Sequence, residues 1–248
     1  LADLLADTMA GIIEVSPKSV IAVILAAGSG SRLGGETPKQ LLDIAGRTVL
    51  EHSAAAFVGM SQIDDVVVVT RDDMVDEVKT MLSGPSWEKV SAVVAGGDTR
   101  TGSTRAGLAV IAADEKSKVL IHDAVRPLVD SATIERCIEA LDSFDAVSAA
   151  IPSSDTIVEV EKDVIQSIPP RSSLRRLQTP QGFRLGTLLR AYREAERSED
   201  TATDDCGIVA RHLPAVKIAV VEGSVNNLKI THPDDVVLAE RLLAERKR

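Results

Sequence analysis

Two stretches of the chain carry residue types suited to polyphosphate chemistry. The first is the run Leu25-Ala-Ala-Gly-Ser-Gly-Ser-Arg-Leu-Gly-Gly35, followed by Pro38-Lys39-Gln40. Small residues let a ligand approach the backbone, and the free N–H groups of such a loop can cradle phosphate. The dinucleotide fingerprint Gly-x-Gly-x-x-Gly fails, because the glycines are 28, 30 and 34 and position 33 is Leu. No Gly-Lys-Ser/Thr follows, so a Walker loop fails too. A plain Gly-rich turn accounts for the glycines but not for Arg32 and Lys39 beside them, and two cations at a flexible loop suit a triphosphate clamp. The second stretch is Lys118–Pro127, KVLIHDAVRP. Asp123 falls just past an apolar run and Arg126 follows three residues on. A lone Asp there is often a helix cap. One carboxylate facing the same rim as Arg32 and Lys39 is instead suited to Mg²⁺, which takes one or two carboxylates plus substrate phosphates. His122 alternates away from Asp123 and is read as structural.

These residues need a frame that brings them together. Val20–Leu25, Val66–Thr70, Val90–Ala95, Lys118–His122 and Ala146–Ile151 read as buried strands. Helical patterns near 48–59, 73–83, 101–113 and 131–142 lie between them. Such alternation predicts an α/β fold with a mostly parallel sheet covered on both faces. Ligands of these sheets bind outside the carboxyl ends of the strands, so the loops after Leu25, Ala95, His122 and Ile151 should meet on one rim. After Pro152 the pattern changes. Asp155–Val160 and Val164–Ile168 flank Glu161-Lys162-Asp163, a β-hairpin with apolar residues on both faces, whose expected partner is another subunit. Helices near 185–197 and 204–212, strands Val216–Glu222 and Asn227–Thr231, and a helix from Pro233 complete the expected order.

Composition narrows the function. The chain has 248 residues, 44% of them hydrophobic, which suffices for a sizeable core. Its net charge of −9 and 2% aromatics exclude backbone-neutralising nucleic-acid binding and base-stacking platforms. Cys137 and Cys206 form no metal or redox spacing, so a reducing cytoplasm is expected. No apolar stretch reaches the roughly 18 residues of a membrane span. Residues 1–18 do not begin with Met and hold a short amphipathic pattern over Leu1–Ile13 with no basic residue. They are read as an N-terminal extension, and residues 19–248 as a single domain with an arm at about 152–172.

Several motifs occur in a set order. They are Ala26–Arg32, Pro38-Lys39, Gly96-Gly97-Asp98 with Arg100 and Ser103, and His122–Pro127, then Asp155-Thr156, Gln178–Gln181, Thr203-Asp204-Asp205 and Asn227–Thr231. Over about residues 19–246 the chain resembles the cytidylyltransferases that act on 2-C-methyl-D-erythritol 4-phosphate. The resemblance implies a Rossmann-like nucleotidyltransferase fold, a homodimer, and transfer of CMP from CTP in non-mevalonate isoprenoid synthesis. It implies that Ala26, Ala27, Gly28 and Gly30 line the CTP phosphates and ribose, and that Gly96, Asp98 and Ser103 lie where cytosine is read. Arg32, Lys39 and Lys229 then stabilise the reacting phosphates, and Asp123 holds Mg²⁺, with Mn²⁺ as a substitute. Asp123, Arg126, Thr179, Thr203 and Lys229 border the sugar phosphate. Thr156 and Arg171, on and after the arm, reach the neighbouring subunit's site. Val125, the Ile168-Pro-Pro-Arg171 run and Cys206 instead look like the sister group that makes CDP-ribitol from ribitol 5-phosphate. A non-catalytic nucleotide-binding protein is disfavoured by the joint presence of Arg32, Lys39, Asp123 and Lys229.

Overall fold

The computed structural model describes residues 13–14, 19–28, 38–197 and 204–246. Thirteen strands follow one another: β1 (Ile13–Glu14), β2 (Val20–Leu25), β3 (Asp43–Ile44), β4 (Arg47–Thr48), β5 (Asp65–Thr70), β6 (Val90–Ala95), β7 (Ile111–Ala112), β8 (Lys118–Asp123), β9 (Ala146–Pro152), β10 (Glu159–Glu161), β11 (Val164–Ser167), β12 (Arg175–Arg184) and β13 (Ile218–Glu222). Helices α1 (Val49–Val58), α2 (Val75–Met81), α3 (Arg100–Ala109), α4 (Ser131–Ala140), α5 (Leu185–Glu196), α6 (Asp205–His212) and α7 (Pro233–Arg246) are interleaved with them. Seven strands form the main sheet in the order β13-β9-β12-β8-β2-β5-β6. Its pairs are parallel except where β12 runs antiparallel between β8 and β9. The expected α/β architecture, a mostly parallel sheet with helices on both faces, is therefore present.

Alternate residues of the central strands feed two separate cores, as the period of a strand requires. Ala22, Ile24, Val66, Val68 and Leu120 pack on Leu50, Phe57, Val78 and Ile134 of α1, α2 and α4. Ile21, Val23, Val67, Val69 and Ile121 pack on Leu108, Leu188, Tyr192 and Ile208 of α3, α5 and α6. A third cluster joins Val125 and Leu128, just past β8, to Ile230 and to Ala239 and Leu243 of α7. That cluster anchors the chain on either side of Arg126 and Lys229.

Two expected strands are corrected. Val90–Ala95 forms β6, the half-exposed edge strand rather than a buried one, because only β5 flanks it. Asn227–Thr231 is not a strand. It lies beside the segment after β8 through a single backbone bond, Ile230 N–H to the Val125 carbonyl at 2.8 Å. Conversely, the ten-residue β12 is not recognisable as a strand, because Pro180, Gly182 and three arginines interrupt its apolar pattern. A proline is tolerated there because its ladder is broken at that point. Pairing with β9 jumps from Leu177 to Gln181, and pairing with β8 starts only at Gln181. The hairpin forms as β10–β11, shorter than expected. Lys162 and Asp163 turn it with φ of 49° and 64°, the left-handed pair that a two-residue hairpin turn uses. The pattern over Leu1–Ile13 lies outside the described residues except at its last position.

Candidate active site

Register aligns the strand ends. Leu25 of β2 pairs with Val69 of β5 on one side and with Asp123 of β8 on the other. The backbone leaving β2 stays tied to its neighbours through Ala26 N–H to Val69 O at 2.6 Å and Ala124 N–H to Leu25 O at 2.9 Å. Gly96 opens the next loop, and a Cβ there would lie 2.6 Å from the Ala27 Cβ and 2.8 Å from the Ser103 Oγ. Only glycine lets the loops after β2 and β6 approach this closely. Ser103 is buried, and its hydroxyl donates to the Gly97 and Thr99 carbonyls, shaping the loop before α3.

The loops enclose a cavity of about 650 Å³. Ala26, Ala27, Gly28, Lys39, Gly96, Asp98, Ser103, Asp123 and Lys229 all line it, with Gln40, Arg100 and Val125. Gly30, Arg32 and Thr203 lie outside the described residues. Thr156 and Arg171 do not line this cavity; both are exposed on the arm, where Arg171 donates to the Ser154 carbonyl at 3.2 Å. Arg126 sits behind the lining, donating to the Asn227 carbonyl at 2.8 Å. A larger cavity of about 780 Å³ lies at the opposite strand ends, beside Lys118, Asp142 and Arg184. There Lys118 and Arg184 already share Asp142, so the chemistry is assigned to the rim that the strand ends define.

Asp123 is the electrostatic centre of the rim. Its Oδ1 accepts from Arg100 Nε at 3.2 Å and its Oδ2 from Lys229 Nζ at 2.8 Å. Burial works to raise its pKa, but Arg100, Lys229 and Arg126 outweigh burial and hold the carboxyl well below its ordinary range. Arg100 also pairs with the fully buried Asp205 at 2.5 Å. Among the described residues no three His, Cys, Asp or Glu side chains form a metal cage. One ionised carboxylate at a polyphosphate-sized cavity still fits a Mg²⁺ or Mn²⁺ ion bound mainly through a nucleotide's phosphates.

Thr179 takes a different place from the one expected. It is buried behind Asp123. Its hydroxyl oxygen accepts from the Asp123 N–H at 3.1 Å and lies 3.0 Å from His122 Nδ1. His122 Nε2 lies 3.2 Å from the Arg126 carbonyl, which can only accept, so Nε2 carries the proton and Nδ1 accepts from Thr179. The structural reading of His122 thus acquires a content: it orients the hydroxyl that orients Asp123. Burial pushes the pKa of His122 down to about 4 from 6.5. Because its folded pKa lies below its unfolded value, its stabilisation is complete above about pH 6.5. It is lost as pH falls from there through 4, by up to about 3 kcal/mol. His122→Gln should accordingly flatten the fall of melting temperature across that window; parallel curves for the two proteins would show that His122 is not the titrating group.

Arg100, Asp205 and Tyr192 form a linked polar cluster to which residue-by-residue reading assigns no roles. Arg100 was visible only as a member of a motif. The ion pair it makes with Asp205 spans 105 positions, and no local pattern signals it.

The mostly parallel sheet and its rim of glycine backbone, cations and the buried Asp123 carboxylate define an α/β nucleotidyltransferase. Residues 20–245 match the profile of the 2-C-methyl-D-erythritol 4-phosphate cytidylyltransferases, and the chain belongs to that family. It is 47% identical over 231 residues to the 2-C-methyl-D-erythritol 4-phosphate cytidylyltransferase of Thermobifida fusca, covering 90% of this chain and 93% of the relative. It is also 40% identical over 229 residues to a bifunctional ribulose 5-phosphate reductase/CDP-ribitol pyrophosphorylase of Haemophilus influenzae, covering 91% of this chain and 48% of that protein. Its structure superposes with a TM-score of 0.80 on 4-diphosphocytidyl-2C-methyl-D-erythritol synthase of Anaerococcus prevotii, at 32% identity, covering 92% of this chain and 99% of the other.

Proposed function

We propose that this chain transfers CMP from CTP to 2-C-methyl-D-erythritol 4-phosphate, giving CDP-methylerythritol and pyrophosphate in non-mevalonate isoprenoid synthesis. The observation that carries this reading is the Arg100–Asp123–Lys229 cluster on the lining of a glycine-walled cavity, in a chain of this family. A phosphate monoester is largely dianionic at pH 7, since its second pKa is about 6. One of its oxygens forms a bond to the α-phosphorus of CTP while the bond from that phosphorus to the bridging oxygen of the β-phosphate breaks. No general base is required. The reaction needs charge neutralisation and in-line positioning. Lys39 and Lys229 serve the first need, together with Arg32. The backbone of Ala26–Gly28 and the segment Gly96–Ser103 hold the nucleotide. Arg126, whose buried Nε has no partner among the described residues, serves the acceptor phosphate with Thr203, and Thr179 acts by orienting Asp123. A Mg²⁺ ion held by Asp123 and the phosphates supplies further neutralisation when bound.

The enzyme is read as a cytoplasmic homodimer, with residues 19–248 forming one domain and the arm at about 152–172 joining the subunits. Val160, Val164, Ile165 and Ile168 are 56 to 60% exposed on this arm, and a second copy would cover them. Among the described residues no helix is long and apolar enough to cross a membrane. If the arm delivers Arg171 and Thr156 in trans, subunits carrying Arg171→Ala and subunits carrying Lys39→Ala should together regain part of the activity, because one site of the mixed dimer keeps both residues. Purified mixed dimers as inactive as their parents would remove the arm from the partner's site.

Ribitol 5-phosphate is the second acceptor to weigh, because of the Haemophilus influenzae relative and of Val125, which lines the cavity. Cys206 is buried and does not line it, so its bearing on the acceptor is indirect. Discrimination should rest on hydroxyl recognition more than on the C-methyl group, which in a matched pocket is worth only about 1–3 kcal/mol. With CTP and both acceptors in one tube, CDP-methylerythritol should dominate the early product. A mixture dominated by CDP-ribitol would overturn the acceptor and leave the transfer chemistry standing.

A further inference from the structure

Arg100 holds two acids on different sides. Its Nε reaches Asp123 on the lining of the cavity, and its Nη1 reaches Asp205, which does not line it. Asp205 is fully buried, and its other oxygen accepts from the Tyr192 hydroxyl at 2.5 Å. Tyr192 is buried on α5, on the face of the sheet that carries α3 and α6. A buried carboxylate is costly unless paired, so Asp205 is tolerated because Arg100 and Tyr192 satisfy it. The third edge of the guanidinium, Nη2, is buried with no partner among the described residues.

Both oxygens of Asp123 are occupied by cations. Each oxygen keeps a second lone pair, but a divalent cation is repelled by the two cations already there, so its uptake with a nucleotide is favoured when Asp123 releases at least one of them. The Lys229 side chain is 40% exposed and can turn toward phosphate. Arg100 can release Asp123 cheaply only if a second counter-ion stays with it. We propose that Asp205, held by Tyr192, is a positioning residue that keeps Arg100 paired in the wall of the site while Asp123 exchanges Arg100 for the cation of the incoming nucleotide. The inference rests on reading the cavity as a CTP site. Without the Asp205 charge, the same exchange strands a guanidinium that is mostly buried, so the Arg100–Asp123 pair locks and Asp123 is withheld. With Asp205 in place, Arg100 remains fixed and the Nε that Asp123 releases is the donor left for the nucleotide.

Mn²⁺ binding by protein in excess over CTP, without acceptor, tests this with no turnover; the loss of the free-ion EPR signal beyond that of CTP alone reports it. Asp205→Asn keeps the shape and removes the charge. Its Mn²⁺ midpoint should rise by about 10-fold, the size of one charge-assisted hydrogen bond. Tyr192→Phe keeps the charge and loosens its hold, and should raise the midpoint by about 3-fold, measurable even if the Asn variant does not fold. Arg100→Gln combined with Asp205→Asn should return the midpoint to within about 3-fold of the parent, because no guanidinium then competes for Asp123. A purely structural Asp205 would lower the melting temperature and leave the midpoint where it was. An unchanged midpoint in folded Asp205→Asn overturns the proposal, as does one in Tyr192→Phe should the Asn variant not fold. A double variant as poor as the single one also overturns it. Absence of any CTP-dependent Mn²⁺ binding by the parent would instead overturn the CTP reading itself.

Discussion

Replacement of Lys229 by alanine should lower kcat by on the order of 10²-fold or more while the protein stays folded. The ammonium is half-exposed at the cavity, and its partner Asp123 keeps Arg100, so no buried charge is stranded when it goes. What is lost is a cation beside the reacting phosphates. Charge on the pyrophosphate oxygens grows as the bond to the α-phosphorus breaks, so the ammonium matters more in the transition state than in the bound ground state. The KM for CTP should therefore change much less than kcat. Lys39→Ala should show the same split, because Lys39 lines the same cavity next to the glycine loop. Steady-state kinetics with CTP varied at saturating acceptor measures both constants. Near-normal kcat in either variant would take that lysine out of the mechanism.

Neutralising Asp123 should produce a comparable loss by another route. In wild type, turnover should require Mg²⁺ or Mn²⁺ and stop with a chelator. Asp123→Asn should lower activity by on the order of 10²-fold at ordinary Mg²⁺ and raise the concentration needed for half-maximal rate. It should also destabilise the free protein. Arg100 and Lys229 would then face one another across a neutral amide, with Arg126 close behind, and removing one partner of a buried ionic cluster leaves the others uncompensated. Sulfate or CTP should restore part of that stability by returning negative charge to the rim. Full activity in a chelator would dismiss the metal, and a melting temperature unchanged in Asp123→Asn would dismiss the electrostatic account of the cluster.

Much of this molecule is written in local patterns. The β-branched runs at 20–25, 65–70, 118–123 and 146–152 determine buried strands, because only a sheet covered on both faces takes apolar runs of that length, while the run at 90–95 forms the half-exposed edge strand β6. Once the sheet is parallel, the chemistry must sit where Leu25, Ala95 and Asp123 end, and there the cavity lies. Glycine spacing and the cations beside it likewise point to phosphate. Other features depend on residues far apart in the chain. β12 pairs as a central strand despite Pro180, because a break in register removes the hydrogen bond that the proline cannot make. Asn227–Thr231 has strand-like residues but is tied to the segment after β8 through the Ile230–Val125 backbone bond, and the third core holds it through Ile230. Thr179 looked like a ligand contact and is instead a support, since its hydroxyl is used by Asp123 and His122. Arg100, Asp205 and Tyr192 meet only because α3, α5 and α6 pack on one face of the sheet. A residue's own spacing determines which face it takes; its partner on that face is chosen by the packing of elements up to a hundred residues away, and so the sequence specified the kind of site while the tertiary structure decided which charges stand together in it.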